Sequence, residues 1–217
     1  MVAGGSGKRM SSGTPKQFLL LSGLPVLMHA IQAFYRFDPG TDLIVALPSS
    51  LFPDWKRLCR RYDFNLPHRL SKGGKSRFHT VKNALKLAGG SSFVAIHDGV
   101  RPLVSLTVIA AAFRDARKYG NAVPVIPVAE SVRWVTTGIN ETFSRDQLRI
   151  VQTPQVFRTE LVRKAYELAP PGDYTDDATV VERLGEKIHL VDGNRENIKI
   201  TYPSDLILAE ALIRHIT

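Results

Sequence analysis

Residues 1–17 read MVAGGSGKRMSSGTPKQ and combine Gly4, Gly5 and Gly7 with the bases Lys8, Arg9 and Lys16. Glycines let a backbone approach a ligand closely and aim N–H groups at it, and the bases neutralise charge, so the stretch has the parts of a polyphosphate-binding loop. It matches neither familiar phosphate motif. A Walker A loop needs Ser or Thr after Gly-Lys and a glycine further upstream, where Arg9 and Val2 stand. A dinucleotide fingerprint starting at Gly5 and Gly7 fails at Met10. Gly74-Lys75-Ser76 is a second near miss, with Arg69 at the upstream glycine position. The stretch therefore reads either as a phosphate loop of a third kind or as a solvated basic N-terminus.

Such a loop needs a scaffold. It should follow a buried strand, yet only Met1-Val2-Ala3 precede it, so the first strand is very short or the chain is clipped there. Val26, Leu27, Ala30, Ile31, Phe34 and Tyr35 recur at helical spacing after the turn Gly23-Leu24-Pro25. Residues 42–47 (DLIVAL) form an apolar run of strand length, and Leu51, Trp55, Leu58, Cys59 and Tyr62 a helical stripe. A weak strand at 69–71 ends in Gly73-Gly74, and a helix is expected over 76–88. A strand at 93–96 delivers His97-Asp98 to its carboxyl end. Ser105 caps a helix that Gly120 stops, and a strand follows at 122–128. Helices are expected near 159–168, 176–184 and 204–216, and strands near 188–191 and 198–201. Alternating strands and helices indicate one α/β domain with a mainly parallel sheet, whose ligands bind beyond the strands' carboxyl ends. Residues 130–150 break the alternation and read as a two-stranded excursion.

The chain has 217 residues, 44% hydrophobic and 23% charged, which suits a soluble globular domain. The formal net charge of +9 points to anionic partners. The bases are spread rather than clustered, which favours small phosphorylated molecules over nucleic acid. The single cysteine, Cys59, excludes an internal disulfide and is compatible with the cytoplasm. No apolar run reaches the length of a membrane span and no signal peptide precedes the chain.

Five blocks carry a resemblance: AGGSGKRM…PKQF (3–18), HDGVRP (97–102), QTPQVF (152–157), TDDA (175–178) and ENIKIT (196–201). In this order they resemble the 2-C-methyl-D-erythritol 4-phosphate cytidylyltransferases of the isoprenoid pathway, over essentially the full chain. The resemblance implies a Rossmann-like nucleotidyltransferase fold, with a mainly parallel twisted sheet flanked by helices and a protruding β-arm. It also implies that CMP passes from CTP to a polyol phosphate with release of pyrophosphate. The nucleophile, a substrate phosphate oxygen, is already anionic at neutral pH, so no activated serine, cysteine or general base is needed. Positioning and charge stabilisation would supply the catalysis, with Mg2+ held mainly by the CTP phosphates.

By that resemblance, Arg9 and Lys16 stabilise charge at the α-phosphorus, and Ala3, Gly4, Gly5, Gly7 and Lys8 contact CTP. Gly73, Gly74 and Thr80 match the cytosine-reading stretch, although Lys75 stands where the family often has an acid, and Thr80 would also stabilise a helix start. Asp98, Gly99 and Arg101 would meet the ribose and the polyol; a strand-end Asp is also a common metal-ligand position, but the resemblance puts Asp98 on substrate hydroxyls. Thr153, Thr175 and Lys199 would hold the polyol phosphate. Thr175 also reads as an N-cap with Asp176 and Asp177 as helix-start acids. Arg77 reads as a framework or phosphate-side residue, and His97 as structural, since there is no proton to remove.

The arm at 130–150 carries Ser131, Arg133, Arg145 and Arg149 among Val132, Trp134, Ile139 and Phe143. A lone two-stranded excursion is marginal. The resemblance implies a two-fold homodimer in which Arg145 and Ser131 reach the neighbour's site. Two rivals remain at this point. One is a cytidylyltransferase for another polyol phosphate such as ribitol 5-phosphate, since Glu130 and Ser131 depart from the usual Asp-Thr. The other is a non-catalytic nucleotide- or RNA-binding module, which the spread bases and the 8% aromatic content disfavour.

Overall fold

The structure is a computed structural model that describes residues 1–5, 13–170, 172 and 174–216. In chain order its elements are β1 (Leu20–Leu21), β2 (Leu24–Pro25), α1 (Val26–Phe37), β3 (Ile44–Leu47), α2 (Phe52–Arg61), β4 (Arg69–Lys72), α3 (Arg77–Leu85), β5 (Phe93–Ile96), α4 (Leu106–Tyr119) and β6 (Asn121–Pro127). Then come β7 (Val132–Thr136), β8 (Ile139–Phe143), β9 (Arg149–Val151), β10 (Gln155–Arg158), α5 (Thr159–Leu168), α6 (Ala178–Glu182), β11 (Leu190–Asp192) and α7 (Pro203–Ile216).

Met1 to Ala3 is the seam of the sheet. Val2 bridges in parallel to Ala46 of β3 on one side and to Asp98, just past β5, on the other. Its N–H donates to the His97 carbonyl (2.7 Å), and the Ala3 N–H to that of Ala46 (2.9 Å). A very short first strand is thus enough to join the halves. β4 pairs parallel to β3 and β11 parallel to β6. β10 runs against the grain, inserted antiparallel between β5 and β6. β9 lies antiparallel to β6 a little further along, so residues 149–158 act as one strand interrupted around Gln152–Pro154.

Local chemistry explains the helix ends. Ser105 Oγ accepts from the Val108 N–H (3.2 Å), and Gly120 closes α4 at φ +88°, where a Cβ would be strained. One apolar cluster joins α1, α2 and α4 to β3 through Leu27, Ile31, Val45, Leu47, Trp55 and Ile109; a second joins α3, α5 and α6 to β5, β6 and β10 through Phe78, Ile96, Phe157, Tyr166 and Val181. The helices therefore cover the sheet and leave its carboxyl edge open.

Three expectations need correction. Residues 198–201 are not a strand: they run extended beside the 97–102 loop, tied by the Ile200 N–H to the Val100 carbonyl at 2.9 Å. The antiparallel β10 was not foreseen as a strand at all, because Gln155-Val156-Phe157-Arg158 has only two apolar residues between polar ones. Thr175 is not the cap of α6. That helix starts at Ala178, and Asp176 Oδ1 accepts the Thr179 N–H (3.0 Å). The 132–143 excursion is an antiparallel hairpin turned at Gly138.

Candidate active site

The carboxyl ends of the Val2 segment, β4 and β5 open onto a cleft of about 360 Å³, lined among others by Gly4, Gly5, Lys16, Gly74, Lys75, Ser76, Arg77, Asp98 and Lys199. Its walls are packed too tightly for side chains at two glycines. A Cβ on Gly4 would lie 3.1 Å from Thr80 Oγ1, and one on Gly74 only 2.3 Å from His79 Cβ. Thr80 is buried, donates to the Ser76 carbonyl (2.9 Å) and accepts the Gly74 N–H (3.0 Å), so it fastens the glycine turn to the start of α3. Of its two expected roles, the structure displays the helix-start one.

Lys16 opens a single 3-10 turn, Lys16–Phe18. The two residues after it anchor that turn. The buried Gln17 amide donates to the Ala3 carbonyl (3.0 Å), and Phe18 stacks on Trp55 with centroids 5.9 Å apart. Lys16 Nζ donates to the Ile200 carbonyl (3.3 Å), one residue beyond Lys199. Two stretches 184 residues apart in sequence thus bring their ammonium groups to one cleft. Gly7, Lys8 and Arg9 lie outside the described residues.

Asp98 is the only carboxylate lining the cleft among the described residues. Its N–H donates to Thr153 Oγ1 (3.0 Å), Thr153 Oγ1 meets His97 Nδ1 (3.0 Å), and His97 Nε2 faces the Arg101 carbonyl (3.0 Å). A carbonyl can only accept, so Nε2 carries the proton, Nδ1 is bare, and the Thr153 hydroxyl donates to it. Thr153 is thus spent inside the protein. Arg101 also turns inward, its guanidinium donating to the Asn197 carbonyl at 2.7 Å. The Gly99 N–H goes to the Val2 carbonyl. These bonds tie all three into the wall of the cleft. Thr175 is exposed and does not line it, and Ser131 and Arg145 sit exposed on the arm, where Arg145 donates to the Ala129 carbonyl.

His97 is fully buried, and burial pushes its pKa from 6.5 down to about 4. The unfolded chain takes up a proton below pH 6.5 that the native state refuses until about pH 4, so stability falls as pH falls through that window. About 2 kcal/mol should be lost between pH 7 and pH 5 from this residue. Urea unfolding at the two pH values checks it: His97→Gln, which preserves one donor and one acceptor, should show a correspondingly flatter dependence, and an unchanged slope would clear His97 of the effect.

Around Asp98, Lys199 Nζ lies at 2.9 Å, and Arg77 and Arg101 each at 3.7 Å. Burial alone would raise the Asp98 pKa, but the charges of Arg77, Lys199 and Arg101 outweigh it and hold the carboxyl well below the usual range. Asp177 stands at the start of α6, as expected of a helix-start acid, but its side chain makes no cap bond. It is buried, grips Arg77 through both oxygens (2.9 and 2.6 Å) and accepts from the Tyr166 hydroxyl. Gln155 was missed; its buried amide oxygen accepts the Asp177 and Ala178 N–H groups (3.0 and 2.8 Å) and binds the 175–178 segment to β10.

No group of three or more His, Cys, Asp or Glu residues converges to hold a metal among the described residues, and Asp98 is enclosed by cations. These donors do not build a metal cage of their own.

A cationic cleft at the carboxyl edge of a mostly parallel α/β sheet defines a protein that handles phosphorylated ligands. Comparison with known proteins narrows the class. The sequence model of the 2-C-methyl-D-erythritol 4-phosphate cytidylyltransferase family matches residues 1–215. A Bacteroides fragilis protein of that description is 49% identical over 213 residues, covering 98% of this chain and 97% of the relative. The crystal structure of the Thermus thermophilus enzyme so named aligns with TM-score 0.80 and 34% identity over 94% of this chain and 96% of that one. The Anaerococcus prevotii structure, described as a 4-diphosphocytidyl-2C-methyl-D-erythritol synthase, aligns at 0.83 with 27% identity, over 98% and 95% of the two chains. The chain belongs to the 2-C-methyl-D-erythritol 4-phosphate cytidylyltransferase family. Its fold is the nucleotidyltransferase α/β fold.

Proposed function

We propose that the chain transfers the cytidylyl group of CTP to the phosphate of 2-C-methyl-D-erythritol 4-phosphate, giving 4-diphosphocytidyl-2-C-methyl-D-erythritol and pyrophosphate for isoprenoid precursor synthesis in the cytoplasm. The observation that carries this is the convergence of Lys16 and Lys199 beside the glycine turn, in a chain of this family. A substrate phosphate oxygen forms the new bond to the α-phosphorus, and the bond from that phosphorus to the β-bridging oxygen breaks as pyrophosphate leaves. The nucleophile enters as an anion, so no proton needs removing. His97 is neutral, buried and spent on Thr153 and Arg101, which fits a site without a general base.

Lys16, with Arg9, stabilises the charge that builds on the α-phosphate, and Lys199 orients the attacking phosphate. Ala3, Gly4, Gly5 and Gly7, with Lys8, offer the nucleotide backbone and charge, and Gly73-Gly74 bounds the base side. A second copy of the chain completes the site: its arm brings Arg145 and Ser131 to the polyol phosphate. A divalent cation, Mg2+ in our reading, would be held mainly by the CTP phosphates and would supply charge neutralisation there. No helix of the described residues is long and apolar enough to cross a membrane, and both proposed substrates are small molecules.

Pyrophosphate release with each polyol phosphate tests the substrate. Methylerythritol phosphate should be turned over with CTP, ribitol 5-phosphate and UTP should be poor, and excess chelator should stop the reaction. Equal use of ribitol 5-phosphate or of UTP would overturn the assignment.

A further inference from the structure

Five charged groups meet at one wall of the cleft: Arg77, Asp98, Arg101, Asp177 and Lys199. Their spacing is uneven. Asp177 takes both ends of the Arg77 fork within hydrogen-bond distance, while Asp98 stands 3.7 Å from the same guanidinium, too far for a hydrogen bond. Asp98 instead has Lys199 at 2.9 Å. Tyr166, itself buried between α3 and α6, gives its hydroxyl to the Asp177 oxygen that Arg77 Nη1 also meets. A carboxylate buried and doubly held in this way has no freedom to turn.

Asp177 therefore holds Arg77 back from Asp98. If the fork were free, it would close on Asp98 as a bidentate pair, the geometry a guanidinium and a carboxylate favour. Lys199 would then lose the partner that keeps its long, half-exposed side chain at the cleft. If the guanidinium were absent, Asp98 would bind Lys199 with less competition, and a substrate phosphate would have to draw the ammonium away from a stronger hold. The observed arrangement lies between these: Arg77 gives Asp98 positive charge at a distance and leaves Lys199 near and recruitable.

We propose that Arg77, fixed by Asp177 and Tyr166, is a positioning residue for the reaction, setting how firmly Asp98 holds Lys199 and hence how readily Lys199 engages the polyol phosphate. The inference rests on the assignment of Lys199 to that phosphate.

The groups facing Asp98 are Arg77 from α3, Arg101 from its own loop, Lys199 from the segment before α7, the neutral His97 beside it and, through Arg77, Asp177 at the start of α6. Removing the Arg77 charge takes away one of the cationic influences that keep Asp98 ionised, beside those of Lys199 and Arg101. Its carboxyl would protonate at higher pH, and the acid limb of kcat/KM should move up with it.

The test is the double variant Arg77→Gln with Asp177→Asn. Two neutral amides replace the ion pair, Asn with the shape of Asp and Gln shorter than Arg, so no buried charge is stranded. The KM for methylerythritol phosphate should rise about tenfold, the KM for CTP should change less than about threefold, and the acid limb should shift upward. Arg77→Lys preserves the charge, so it should leave the acid limb where it is and raise the polyol-phosphate KM only about threefold. Should the double variant not fold, Arg77→Lys decides alone through that KM split. A folded double variant with both KM values and the acid limb unchanged overturns the proposal, and so does a rise confined to CTP. Lys199→Ala in the same assays separates the two layers. If it leaves the polyol-phosphate KM alone, the Lys199 assignment fails. If it raises that KM while the Arg77 variants do not, only the present inference fails.

Discussion

Lys16→Ala is expected to lower kcat by about 10²–10³-fold, the usual loss when one donor to developing charge is removed. The fold should survive. The residues after Lys16 hold its turn through contacts the substitution leaves in place, Gln17 on the Ala3 carbonyl and Phe18 against Trp55. The loss should fall on kcat more than on the KM for CTP, because charge at the α-phosphorus grows only as the transition state forms. Circular dichroism and thermal unfolding would establish the fold, and pyrophosphate release the rate. A folded Lys16→Ala protein with near-normal kcat would remove Lys16 from the chemistry.

Arg145→Ala should be similarly damaging, for a reason the isolated chain makes visible. The β7–β8 hairpin exposes Trp134 at 57% and Val135 at 72%, apolar surface that a two-stranded ribbon normally covers with a partner. Arg145 itself donates to the Ala129 carbonyl at the arm's root and does not line the cleft of its own chain. A role for it in phosphate binding thus needs a second copy. Mixing Lys16→Ala with Arg145→Ala protein tests this. Each parent should be nearly inactive. In a mixed two-fold dimer one subunit supplies Lys16 and the other Arg145 to the same site, so random exchange should restore about a quarter of the wild-type rate. Exchange without recovery would refute the shared site, and an active monomer would refute the dimer.

Much of the scaffold was legible because it rests on local signals. The Ser105 cap, the Gly120 stop and the strand before His97-Asp98 are written in single residues and short runs. The wall of the cleft was less so. Thr153 and Arg101 stand in blocks that mark the site, but which way a hydroxyl or guanidinium turns depends on partners far along the chain: His97 for Thr153, Asn197 for Arg101. The Arg77–Asp177 pair joins residues 100 apart, a contact no periodicity can reveal. β10 was hidden for a different reason: Gln155-Val156-Phe157-Arg158 holds only two apolar residues, too short a pattern to mark a strand or its direction.

The central claim is that this chain joins the phosphate of 2-C-methyl-D-erythritol 4-phosphate to the α-phosphate of CTP. Phosphorus NMR of the purified protein with CTP, Mg2+ and 2-C-methyl-D-erythritol 4-phosphate tests it most directly. The account predicts that the triphosphate and monophosphate signals decline together, replaced in equal amounts by a pyrophosphate diester and free pyrophosphate. CMP as the product, or a diester absent while CTP is consumed, would contradict it.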